Sequence, residues 1–91
     1  MMKTEEYVEC KALAITAKDF RTWLEDPERT AIIKDLPLAG VTPSHDLVYL
    51  IFRTDEDRLE GYNMIHRVFP NMTTIFVRET ALIKKKFLLK A

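Results

Sequence analysis

Residues 54–58, "TDEDR", follow directly on the apolar run "LVYLIF" at 47–52. Asp55 and Asp57 form a D-x-D at the end of an expected strand. Two carboxylates so placed are the hard-oxygen donors that Mg²⁺ takes for phosphoryl transfer. The same residues also suit a helix start. Thr54 with Asp57 three residues on has the spacing of a capping box, and acids in a first turn complement the helix dipole. A cap needs only Thr54 and its neighbours, whereas a metal site needs a third ligand from elsewhere in the chain. We therefore expect Asp55 and Asp57 to open a helix and to bind no metal.

The metal alternative has a definite form. "TDEDR" resembles the T-D-x-D of Toprim nucleases and topoisomerases, which also carry a glutamate near the end of the first strand. That resemblance implies Glu9 of "YVECKA" as the third ligand, Mg²⁺ as the ion and nuclease activity. It extends to these few residues only. Glu9 falls in mid-strand, and no glycine follows the Asp pair at the usual place.

Other reactive side chains are few. Cys10 with a histidine would make a nucleophile pair. Cys10, however, alternates with alanines on what is expected to be a helix-covered face, where a thiol is inert. His45 falls in a loop and His66 at the edge of a helix stripe. No H-x-x-x-H, C-x-x-C or G-x-S-x-G occurs, and two glycines, Gly40 and Gly61, cannot build a glycine-rich phosphate loop. A non-catalytic protein without a cofactor is expected.

The 91 residues suit a single domain, 1–91. The chain is 47% hydrophobic and 31% charged, with 14 basic and 14 acidic residues. Disorder requires lower hydrophobicity and more net charge. A strongly basic nucleic-acid-binding domain is likewise excluded, though a local basic patch is not. One cysteine permits no intrachain disulfide, so a reducing, cytoplasmic setting is expected. No apolar run reaches the roughly 20 residues that span a bilayer. "MMKTEEYVEC" carries acids where a signal peptide needs a basic region.

The elements that must position these residues follow from periodicity and breakers. "YVECKALAIT" (7–16) alternates as a strand, with Val8, Cys10, Ala12 and Ala14 on one face and Glu9, Lys11, Leu13 and Ile15 on the other. The small set is expected under the helices. "TAKDFRTWLED" (16–26) is a helix capped by Thr16 and stopped by Pro27. "PERTAIIKDLP" (27–37) suits a helix start at Asp26-Pro27-Glu28 or a short strand over "TAII"; the strand is preferred. "LAGVTPSHD" (38–46) is a loop. "LVYLIFRT" (47–54) is a central strand and "DEDRLEGYNMIHRVF" (55–69) a helix with a stripe of Leu59, Tyr62, Ile65 and Phe69. "TTIFVRE" (73–79) is a strand, and residues from about 80 to 91 form a tail, an extra strand or a helix. The order is that of a two-layer α+β ferredoxin-like βαββαβ sandwich. A helix at 27–37 would instead make a small three-layer α/β sheet. The expected core is Phe20, Trp23, Leu24, Leu50, Leu59, Ile65, Phe69, Ile75 and Val77.

Such a sandwich leaves one sheet face open. That face is expected to carry Lys11, Tyr49, Ile51, Arg53, Phe76 and Arg78, an apolar and aromatic set flanked by cations. Patches of this kind mark interaction surfaces. The expected function is therefore that of a small binding or regulatory protein. It would act through protein–protein contacts on the open face and self-associate there, with no part in a membrane. The alternative is a module for single-stranded nucleic acid. Tyr49 and Phe76 would then stack bases, with Lys84, Lys85 and Lys86 as further polyanion contacts. The RNA-recognition motif is similar in order and surface, but its basic-Gly-aromatic signature is missing here.

Overall fold

The computed structural model describes residues 6–88. The chain forms β1 (Tyr7–Thr16), α1 (Ala17–Leu24), α2 (Pro27–Asp35), β2 (Gly40–Ser44), β3 (Leu47–Phe52), α3 (Asp55–Val68), β4 (Ile75–Phe76) and β5 (Ala81–Lys84). A 3₁₀ turn, Lys85–Phe87, follows. The result is a small α+β protein with three helices and a five-stranded antiparallel sheet of order β2-β3-β1-β4, with β5 also paired to β1. Residues 1–5 and 89–91, including the end of the C-terminal segment that sequence left open, lie outside the described residues.

α1 begins as its sequence dictates. The Thr16 hydroxyl accepts from the Asp19 amide at 3.0 Å, and Pro27 bars continuation past Asp26. The segment 27–37 is a correction: it is helical over Pro27–Asp35 rather than a strand. Asp26 Oδ1 accepts from the Arg29 amide at 3.2 Å, Pro27 takes the first helical position and Glu28 the first turn. The Trp23 indole N–H donates to the Arg29 carbonyl at 3.2 Å and locks α1 to α2. These capping contacts outweigh the strand preference of "TAII".

The hairpin partner of β3 instead comes from the expected loop. Gly40–Ser44 pairs along β3, from Gly40 with Ile51 to Ser44 with Leu47. Pro43, which lacks an N–H, is tolerated because β2 is an edge strand. His45 turns the chain with a φ of 56°, in the left-handed region.

β1 lies at the centre, paired with β3 from Lys11–Phe52 to Thr16–Leu47. Leu13 and Ile15, with Val48, Leu50 and Phe52, face the helices and pack on Trp23, Leu36, Ile65 and Met72. Phe20, Phe69, Tyr62 and Met64 close the edge of this core. The expectation that Cys10, Ala12 and Ala14 lie under the helices is therefore reversed. Large side chains are needed to fill the space between a sheet and a helix layer at native density. Each buried Leu, Ile or Phe contributes about 1.5–3 kcal/mol. Of the expected core, Trp23, Leu50 and Ile65 are buried, and Val77 packs on the opposite face. Leu24, Leu59 and Ile75 are exposed.

The last strand is split. Phe76 pairs with Leu13, Ile75 with Ala14, and the Val77 amide donates to Ala12 O at 3.1 Å. Further on, Ala81 pairs with Cys10 and Ile83 with Val8. Arg78, Glu79 and Thr80 thus stand opposite the single residue Lys11, a bulge with two extra residues. Arg58 of α3 fills the break. Its Nη1 donates to Val77 O at 3.0 Å and to Ala12 O at 3.4 Å, and its Nη2 to Asp55 Oδ1 at 3.0 Å. The guanidinium lies 5.0 Å from the centre of the Phe76 ring.

Candidate interaction surface

The face of the sheet away from the helices is built on the small residues of β1. Cys10, Ala12 and Ala14 are all nearly inaccessible. Across the ladder, Ala12 is level with Ile51 and Ala14 with Tyr49, so β3 supplies the large side chains on one flank. Val77, Ala81 and Ile83 supply the other flank. Ala39, Val8 and Leu88 pack on the same cluster, and Leu88 brings the C-terminal turn partly over it.

Small side chains on the central strand and larger ones beside it make a trough. One part, of about 250 Å³, is lined by Ala12, Thr42, Tyr49, Ile51, Val77 and Ile83, with Glu79 and Thr80 at its rim. An adjoining hollow of about 360 Å³ shares Thr42, Ile51 and Ile83 and is flanked by Tyr7, Val41, Leu82 and Phe87. Phe87 is 65% exposed beside this hollow, whereas Val41, level with Leu50, and Leu82, level with Glu9, turn their side chains to the opposite face of the sheet, as does Tyr7 next to Val8. Folding normally removes from water an apolar hollow such as the one lined by Ala12, Tyr49, Ile51, Val77 and Ile83.

The expected site residues separate. Tyr49 and Ile51 lie on this face. Arg53 follows β3 beside Cys10. Burial pushes the Cys10 thiol up from its ordinary value, and the nearby Arg53 charge partly offsets this. Phe76 is on the other face, a correction to the expected set. Its register with Leu13 turns it to the helix side, where its ring centre is 5.0 Å from that of Tyr62. Lys11 reaches sideways to the bulge, with Nζ donating to Thr80 Oγ1 at 3.5 Å, and Arg78 is exposed in that bulge. Tyr49 and Phe76 therefore cannot form a two-ring stacking platform.

The lysine run divides in the same way. Lys84 ends β5, Lys85 Nζ is 3.3 Å from Glu6 Oε2, and Lys86 Nζ is 5.2 Å from the Phe87 ring centre. Asp55 and Asp57 open α3, where the Thr54 hydroxyl accepts from the Asp57 amide at 3.0 Å and Asp55 pairs with Arg58. Glu9 is paired with Leu82 in the β1–β5 ladder. Among the described residues, no three His, Cys, Asp or Glu side chains come together as a metal site. His66 Nε2 is hydrogen-bonded to Thr74 Oγ1 at 3.1 Å, and its ring packs on Tyr62.

Ala39, Val77, Glu79 and Ile83 belong to this surface and were not foreseen there. In "TALIK" the three apolar residues Ala81, Leu82 and Ile83 are consecutive, so periodicity does not decide the segment, and nothing local shows that it returns to β1 after a bulge. Among the described residues, no helix is long and apolar enough to cross a membrane. No protein-family model, curated protein or solved structure matches this chain.

Proposed function

We propose that this is a non-catalytic binding protein of regulatory type that works through protein–protein contacts on the open face of its sheet and self-associates there. The observation that carries this is the apolar trough on β1 and β3, lined by Ala12, Tyr49, Ile51, Val77 and Ile83 on the face away from the helices. A nucleic-acid platform is disfavoured because Tyr49 is the only one of the two expected stacking rings on this face.

The strand order β2-β3-β1-β4, with the helices gathered on one side, supports reading the fold as a ferredoxin-like sandwich. On that reading α2 is an inserted helix, and β4 and β5 are one final strand broken by the bulge. The single buried thiol, Cys10, supports a cytoplasmic setting.

Sedimentation velocity over a range of concentrations tests the proposal. The wild type should sediment as a dimer or larger. Tyr49→Glu should sediment as a monomer with an unchanged circular dichroism spectrum. A wild type that stays monomeric at the highest attainable concentration overturns it.

A further inference from the structure

Resting on that self-association, we infer that the occupant of the open face is a second copy of this chain, related by a two-fold axis parallel to β1, with Arg53 of each copy against the partner's Glu79. The register of the sheet supplies the geometry. One flank of β1 carries Tyr49, Ile51 and then Arg53; the other carries Ile75, Val77 and then Glu79. Tyr49 and Ile75 are both level with Ala14, and Ile51 and Val77 are both level with Ala12. Arg53 stands beside Cys10, and Glu79 stands in the bulge opposite Lys11 and rims the trough. Each flank therefore runs from apolar to charged in the same direction, and the two charges are of opposite sign.

A two-fold axis along β1 exchanges the flanks and keeps the level. It sets Tyr49 on the partner's Ile75, Ile51 on the partner's Val77 and Arg53 on the partner's Glu79, each twice. An axis across the strands would keep the flanks and reverse the level. It would press Arg53 onto the partner's Tyr49 and bury a charge without a counter-ion, which is strongly unfavourable. Arg53 and Glu79 are both exposed, and neither forms an ion pair among the described residues, so both charges are free to pair across the interface. Ile75, exposed on the subunit, gains an apolar partner in this arrangement.

The test is reciprocal charge reversal, with folding checked by circular dichroism. Arg53→Glu and Glu79→Arg should each weaken the dimer about a hundredfold or more, because each homodimer then holds two like-charge contacts. Mixing the two variants should restore the dimer, since both contacts in the mixed pair are again opposite in sign. A monomeric wild type overturns the self-association and this arrangement with it. If the wild type associates but either variant associates equally well, or mixing restores nothing, self-association stands and this arrangement is overturned.

Discussion

Gly61 of α3 lies against the ring of Phe52 of β3: a Cβ on Gly61 would come within 2.6 Å of both Cε1 and Cζ. The missing side chain is what lets α3 settle onto the sheet. In an open helix, Gly→Ala would stabilise by about 1 kcal/mol. Here Phe52 is fully buried and has nowhere to move, so overpacking at about 1–3 kcal/mol dominates. Gly61→Ala should lower the urea midpoint. Phe52→Leu in the same chain should recover part of the loss, a coupling that a double-mutant cycle measures. A midpoint unchanged or raised in Gly61→Ala would show that the two elements do not approach so closely.

Arg58 and Asp55 share an ion pair of very unequal worth. The Arg58 side chain is 16% exposed and that of Asp55 is 70% exposed. Arg58 also satisfies the two carbonyls at the broken end of β4. A hydrogen bond from a charged donor is worth about 1.5–3 kcal/mol, whereas an exposed ion pair contributes under about 1 kcal/mol. Arg58→Met should therefore cost about 2 kcal/mol and speed amide exchange at Val77. Asp55→Asn should leave both nearly unchanged. Equal losses in the two variants would contradict this assignment.

His45 holds a φ of 56° in the β2–β3 turn. For an L-residue that conformation costs about 1–2 kcal/mol. Glycine avoids most of it but loses about 0.5–1 kcal/mol of backbone entropy. His45→Gly should thus raise stability by about 0.5 kcal/mol, while His45→Val should lower it. A melting temperature that falls in His45→Gly would mean that the imidazole makes a contact worth more than the strain.

The Cys10 thiol is pushed above its ordinary value of 9.0 by burial, an effect that Arg53 partly opposes. An acid whose folded pKa is raised holds its proton longer in the native state. Its influence on stability is flat below 9.0, and the native state loses stability as pH rises through 9.0 and the unfolded thiol ionises. The wild type should therefore lose stability relative to Cys10→Ala above pH 9.0, and not below it. Parallel stability curves for the two chains across that range would contradict this. Thiol reagents should label Cys10 slowly in the native protein and rapidly after unfolding.

Some elements were legible because their signals are local. Thr16 three residues before Asp19, and Thr54 three before Asp57, mark two helix starts, and both hydroxyls accept the expected amide. The apolar run 47–52 is a central strand as expected, but helices cover only the face carrying Val48, Leu50 and Phe52, while Tyr49 and Ile51 line the open face. The D-x-D after it is a helix turn in which Asp55 serves Arg58. Even α2 was written locally, in Asp26-Pro27-Glu28, but the β-branched residues that follow obscured it.

What only the tertiary structure decided is which side of each strand meets the helices, and where the final strand lies. Alternation says that Leu13 and Ile15 share one face and Ala12 and Ala14 the other; it does not say which face is covered. That choice depends on the volume between sheet and helix layer, filled by Leu13 with Leu50 and Ile15 with Val48. It also depends on Gly61, which sets how near α3 can come. The facing of Phe76 and the position of Glu79 depend on hydrogen bonds to β1, more than sixty residues away along the chain. One slip of register moves every side chain of a strand to its opposite face. No local pattern records such a slip, and so the open face of this sheet is settled by long-range pairing.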